Sequence, residues 1–127
     1  MSTRYAGLAG LRVLVVEDEF LPAALIEETL RELRCDILGP VSNLDAALAA
    51  IQRGGFDAAL LDINLKGRAA TPAAAELAVR AVPFILVTGY QGSASDEPAM
   101  SSAPRIVKPF TLEQLAEAMR KAFVSNR

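Results

Sequence analysis

Short apolar runs that each stop at a polar residue restrict this chain to a sheet with both faces covered. Arg12–Val16 reads R-V-L-V-V and halts at Glu17, Asp18 and Glu19. Residues 56–61 are apolar apart from Asp57 and halt at Asp62, and residues 84–87 halt at Thr88 and Gly89. Runs of this length, rich in Val, Ile and Leu and lacking alternation, suit strands buried on both sides. Two shorter pieces complete the set: residues 37–41, broken by Gly39-Pro40, and Ile106-Val107, which leads to Lys108-Pro109.

Helical stripes separate these runs. Pro22 falls in a first turn and Ile26, Leu30 and Leu33 follow at one-face spacing, with Glu27 and Arg31 on the outside. Ser42 and Asp45 form a capping-box pattern ahead of Leu44, Ala47, Leu48 and Ile51, and Gly54-Gly55 ends that stripe. Thr71-Pro72 reads as a cap and an N1 proline before Ala74, Leu77, Ala78 and Ala81. Thr111 with Gln114 caps a last stripe of Leu112, Leu115, Ala116, Met119 and Phe123. Strands alternating with helices predict a five-stranded parallel α/β sandwich, because parallel strands need crossover helices. Residues 91–103 have no apolar stripe and carry a proline in their middle, so the fourth helix is expected to be short, frayed or absent.

At 127 residues the chain fits one domain, and 52% apolar against 22% charged residues supports a single core. The net charge is -2 with Lys and Arg scattered, which argues against direct nucleic-acid binding. The chain has no His and one cysteine, Cys35, which excludes His-based acid-base catalysis, an ordinary zinc site and an internal disulfide. Neither a signal peptide nor a membrane span is legible, so the expected location is the cytoplasm.

Ligands of parallel sheets sit beyond the carboxyl ends of the strands. Those ends deliver Glu17 and Asp18, then Asp62, Thr88 and Lys108. Carboxylates gathered in one place repel each other unless a cation compensates, and Mg2+ is a hard ion that takes oxygen ligands. A carboxylate, a metal, an ammonium and a hydroxyl form the equipment for phosphoryl transfer, which needs charge stabilisation more than it needs a base. Asp62 is the candidate nucleophile, Glu17, Asp18 and Asp62 the candidate metal ligands, and Lys108 and Thr88 the candidate partners of the phosphoryl oxygens. Glu19 reads as a solvent-facing or supporting residue and not as a ligand.

The stretches V-L-V-V-E-D-E, L-L-D-I-N-L, V-T-G-Y and I-V-K-P-F, in that order, resemble the four signature stretches of response-regulator receiver domains. The resemblance implies a flavodoxin-like, doubly wound sandwich with strand order 2-1-3-4-5, an order for which receivers are a standard illustration. It implies an N-terminal extension over residues 1–10, a receiver domain over 11–124 and a tail over 125–127. The Asn64 backbone carbonyl would join the Mg2+ shell and the Lys108–Pro109 bond would be cis. The implied activity is a switch that accepts a phosphoryl group on Asp62 and catalyses only its own phosphotransfer and dephosphorylation. Its partners would be a histidine kinase or phosphotransfer protein and a downstream protein, with the domain itself a monomer or weak dimer.

D-I-N-L-x-G and P-F-x-x-x-T-G-Y further resemble the receiver subgroup named for its Phe-Ala-Thr-Gly and Tyr stretch, whose members often work with HWE-class kinases. Leu86 and Val87 stand at its Phe and Ala positions. Arg105 stands where common receivers carry Tyr or Phe, which makes Thr88, Tyr90 and Arg105 the switch candidates. Competing readings are a metal-dependent phosphohydrolase with an aspartyl nucleophile and a receiver-like binding module that is never phosphorylated. The first lacks the D-x-D pair such enzymes usually carry after their first strand.

Overall fold

The computed structural model describes residues 3–89 and 98–124. A 3-10 helix over Thr3–Leu8 precedes β1 (Arg12–Val16), α1 (Phe20–Glu32), β2 (Asp36–Val41), α2 (Leu44–Arg53) and β3 (Ala58–Asp62). The two-residue strands β4 (Asn64–Leu65) and β5 (Arg68–Ala69) follow, then α3 (Thr71–Val79), β6 (Phe84–Thr88), α4 (Pro98–Ser101), β7 (Arg105–Val107) and α5 (Leu112–Phe123). The main sheet runs β2-β1-β3-β6-β7 with every pair parallel. Counting only its own five strands, that is the order 2-1-3-4-5, and the fold is flavodoxin-like.

The unbroken apolar runs become central strands because each strand feeds two cores. Val13, Val15, Leu60, Ile85 and Val87 pack with Ile26 and Leu30 of α1 and Leu115 and Met119 of α5. Their neighbours Leu14, Val16, Leu61 and Leu86 pack on the other face with Ile51 of α2 and Leu77 of α3. Each fully buried leucine in these layers contributes about 2 kcal/mol. Leu8 is fully buried in the first core, so the segment ahead of β1 is anchored to the domain.

Two helix starts differ from the sequence reading. The N-cap of α2 is Asn43, whose side chain accepts from the Ala46 amide at 2.8 Å, and not Ser42. The helix starts at Leu44, which leaves Ser42 one residue too far out for that hydrogen bond. Similarly, Thr71 is the first residue of α3, with Ala70 at the N-cap and no side-chain cap. Its hydroxyl donates to Met100 Sδ at 3.3 Å instead. The Thr111–Gln114 capping box of α5 is present in both directions, at 3.0 and 2.9 Å.

The fourth helix is short: α4 spans Pro98–Ser101. Tyr90 and residues 91–97 of the weakly helical stretch lie outside the described residues. Among the described residues no helix is long and apolar enough to cross a membrane.

Candidate functional site

Parallel strands point their carboxyl ends to one edge of the sheet, and the polar residues that stop the apolar runs therefore gather there. Glu17 follows β1 and is buried, Asp62 ends β3 at 4% exposure, Thr88 ends β6 at 2% exposure, and Lys108 follows β7. Thr88 lies opposite Val107, and the Lys108 amide donates to the Thr88 carbonyl at 2.7 Å, which fixes these two positions relative to each other. The Lys108–Pro109 peptide is cis. Asp18, Glu19, Asp62, Asn64, Thr88 and Lys108 line a cleft of about 460 Å³.

Lys108 is the hub of this cleft. Its ammonium donates to Glu17 Oε2 at 3.1 Å, to Asp62 Oδ2 at 3.2 Å and to Glu19 Oε1 at 2.5 Å. The other Asp62 oxygen, Oδ1, accepts from the Asn64 amide at 3.1 Å. Asp18 Oδ2 accepts from the Lys66 amide at 2.9 Å, which ties the β1 acids to the β4–β5 hairpin. Asn64 Oδ1 accepts from the Gly67 amide at 2.9 Å and closes that hairpin's turn.

Burial pushes the Asp62 carboxyl up to about 7 from its ordinary 3.8; the Asn64 amide works against this, Glu17 adds to it, and Lys108 lowers it again. Burial also disfavours the Lys108 charge. Hydrogen bonds to Glu19 and Glu17 and the attraction of Asp62 and Glu17 outweigh that, and its pKa is raised.

The donor set suits a hard divalent cation. Glu17, Asp18 and Asp62 bring carboxylate oxygens within 4.8 Å of one another. Among the described residues Glu17 Oε1 is buried without a hydrogen-bond partner, a costly state that a cation would relieve. All three acids supply oxygen, the ligand Mg2+ prefers, and one ammonium among four carboxylates leaves negative charge uncompensated.

The structure thus brings together Glu17, Asp18, Asp62, Asn64, Thr88 and Lys108. Arg105 is not among the residues lining the cleft; its guanidinium donates to the Met100 carbonyl at 3.0 Å. Glu19, read from the sequence as solvent-facing or supporting and not as a ligand, makes the shortest contact with Lys108. Sequence reasoning missed one participant. The Lys66 amide holds Asp18, and a backbone donor leaves no compositional trace. A larger groove of about 1040 Å³ follows β7 and α5; of its two carboxylates, Glu113 and Glu117, the second is engaged by Arg4 and Arg120.

Comparison with known proteins gives the class. The response regulator receiver domain family matches residues 13–120, and the chain belongs to it. The positive alginate biosynthesis regulatory protein of Pseudomonas aeruginosa is 34% identical over 121 residues, which cover 92% of this chain and 49% of that protein. The chain spans about half the length of the curated relatives it matches.

Among solved structures, SdrG from Sphingomonas melonis Fr1 is 39% identical with a TM-score of 0.77, over 87% of this chain and 93% of that one. The BeF3-activated conformation of SdrG gives 0.73 at the same identity, over 87% and 94%. The receiver domain of the sensor histidine kinase PA1611 from Pseudomonas aeruginosa PAO1 was solved with a magnesium ion coordinated in its active-site cleft. It is 26% identical with a TM-score of 0.78, over 92% of this chain and all of that one.

Proposed function

We propose that this domain is the phosphoacceptor of a two-component pathway, with Asp62 taking a phosphoryl group from the phosphohistidine of a histidine kinase or phosphotransfer protein. The observation that carries this reading is the placement of the Lys108 ammonium 3.2 Å from Asp62 Oδ2 beside a three-carboxylate cluster that includes Asp62 itself. A phosphoryl group in transfer spreads negative charge over its outer oxygens, and a fixed ammonium at that spot stabilises it. An Asp62 oxygen forms the new bond to phosphorus as the bond to the histidine nitrogen breaks, and the imidazole leaves with the electron pair and takes up a proton. No general base is needed, which suits a chain without His.

Glu17, Asp18, Asp62 and the Asn64 carbonyl are the proposed ligands of Mg2+. When bound, the ion supplies positive charge to the carboxylates and to the phosphoryl oxygens. The Thr88 hydroxyl donates to one of those oxygens, and Lys108 neutralises another. The magnesium ion in the PA1611 receiver and the BeF3-activated state of SdrG support this reading.

The domain then acts as a switch, catalysing only its own phosphorylation and dephosphorylation, and passes the signal on through protein contact in the cytoplasm. An HWE-class kinase is the proposed donor, and Thr88, Tyr90 and Arg105 are the proposed switch residues. A net charge of -2 without a basic stripe supports a protein partner over nucleic acid. We propose a receiver domain over residues 11–124 with residues 1–10 as its N-terminal extension and 125–127 as a tail, acting as a monomer or weak dimer.

Incubation with Mg2+ and acetyl phosphate, read by intact mass, tests the assignment. One phosphoryl group per chain is expected, absent without Mg2+ and absent in Asp62→Asn. Sustained phosphate release from many substrates would identify a phosphohydrolase instead, and no uptake at all would leave a binding module.

A further inference from the structure

The lysine at the centre of the cleft has three carboxylate neighbours, and they differ in kind. Glu17 and Asp62 have side chains 0% and 6% exposed, and each is held by a backbone amide, Glu17 Oε2 by Glu19 and Asp62 Oδ1 by Asn64. Glu19 has a side chain 61% exposed, yet its contact with Lys108 is the shortest of the three. The two buried acids are also among the proposed metal ligands, so an ammonium that settled wholly on them would compete with the cation for the same oxygens. A third carboxylate at the mouth of the cleft draws the ammonium outward and limits that competition.

We infer that Glu19 is a positioning residue for Lys108: its carboxylate holds the ammonium at the mouth of the cleft in the resting domain and yields it once a phosphoryl group occupies Asp62. The inference rests on the phosphoacceptor reading for its second half only. A phosphoryl group carries close to two negative charges and strong acceptor oxygens, whereas an exposed carboxylate pairs weakly because water competes for it. Lys108 therefore moves toward the phosphoryl group, and Glu19 sets how much pull that movement must overcome.

Glu19→Gln removes the charge at an exposed position and keeps the shape. Glu19→Asp keeps the charge, and Glu27→Gln removes a different charge from the adjoining surface that Glu19 also lines. The first measurement is the ammonium nitrogen resonance of Lys108 in the metal-free, unphosphorylated protein. It is expected to move in Glu19→Gln, to stay near the wild-type position in Glu19→Asp, and to be unaffected in Glu27→Gln.

The second measurement is beryllofluoride binding at saturating Mg2+, which reports the phosphoryl-like state. Affinity is expected to rise about two- to fivefold in Glu19→Gln, as suits loss of a competing exposed pair, with no change in Glu27→Gln. An unmoved Lys108 resonance overturns the contact, and an unchanged or weaker beryllofluoride affinity overturns the yielding. If the wild type binds no beryllofluoride and acetyl phosphate labels nothing, the phosphoacceptor reading falls with the second half, and the resonance still decides whether Glu19 holds Lys108.

Discussion

The Arg105 guanidinium donates to the backbone carbonyl of Met100 across 3.0 Å and so joins β7 to α4. Met100 is buried in the core shared with α2 and α3, and its sulfur accepts from the Thr71 hydroxyl at the start of α3. Arg105 stands three residues before Lys108. That hydrogen bond therefore connects the strand leading to the cleft lysine with the fourth helix. Arg105→Ala is expected to cost about 1.5 kcal/mol, the worth of a charge-assisted hydrogen bond, and to speed amide exchange around Met100. Urea midpoints and amide exchange check this; if neither changes, α4 does not depend on the bond.

Gly39 lies in β2 with φ +99, and a Cβ added there would stand 2.7 Å from the Val15 carbonyl oxygen. Backbone faces backbone, so no side chain can move aside. Gly39→Ala should destabilise the fold by about 2 kcal/mol or more, measured as a lower denaturant midpoint with an unchanged slope. Because the Glu17 amide donates to the Val41 carbonyl at 3.0 Å, the same variant should weaken Mg2+ binding. Wild-type stability in Gly39→Ala would show that β2 can be redrawn.

Asp62 and Glu117 give opposite pH dependences. Asp62 is raised to about 7 by burial, with Glu17 adding to the rise, so the folded protein binds this proton more tightly than the unfolded chain does. Its contribution to stability is full below about 3.8 and is lost as pH climbs to about 7. Glu117 is held at about 2 by Arg120 and Arg4, so its contribution is present above the ordinary 4.5 and is lost as pH falls toward 2. Thermal scans of metal-free protein should therefore show Asp62→Asn gaining on wild type between about pH 4 and pH 7. Saturating Mg2+ should stabilise the wild type more at the upper end of that range. A flat difference between the two proteins would mean that Asp62 is already ionised at the lower end.

The Cys35 thiol donates to the Leu8 carbonyl at 3.3 Å, and burial pushes its pKa up to about 11. A thiol this protonated and covered reacts slowly. Leu8→Ala should leave a cavity costing about 2–5 kcal/mol and raise the rate at which Cys35 reacts with an aromatic disulfide reagent. A thiol that reacts at the free-cysteine rate in the wild type would contradict the docking of Thr3–Leu8.

How much of this was legible beforehand follows from what a linear pattern reports. The apolar runs ending at Glu17, Asp62, Thr88 and Lys108 already specified buried parallel strands with a polar edge, because a strand covered on both faces cannot alternate and ligands gather beyond its carboxyl end. The capping box at Thr111 and Gln114 was readable for the same local reason: both hydrogen bonds close within one turn. Asn43 was misread as Ser42 because a cap depends on where the helix begins, and sequence places that only to within a residue or two.

The contacts that remained invisible join residues far apart in the chain. Glu19 meets Lys108 across 89 positions, Asp18 meets the Lys66 amide across 48, and Cys35 is covered by Leu8 across 27. The sequence by itself determined which residues leave water, where each strand stops and which charges arrive at one edge, since these follow from hydrophobic periodicity and local chain geometry. Only the tertiary structure decided that Glu19 faces Lys108, that Glu17 Oε1 finds no partner among the described residues, and that Arg105 turns to Met100. Hydrogen bonds depend on distances of a few tenths of an ångström, and those distances are set by packing the whole chain.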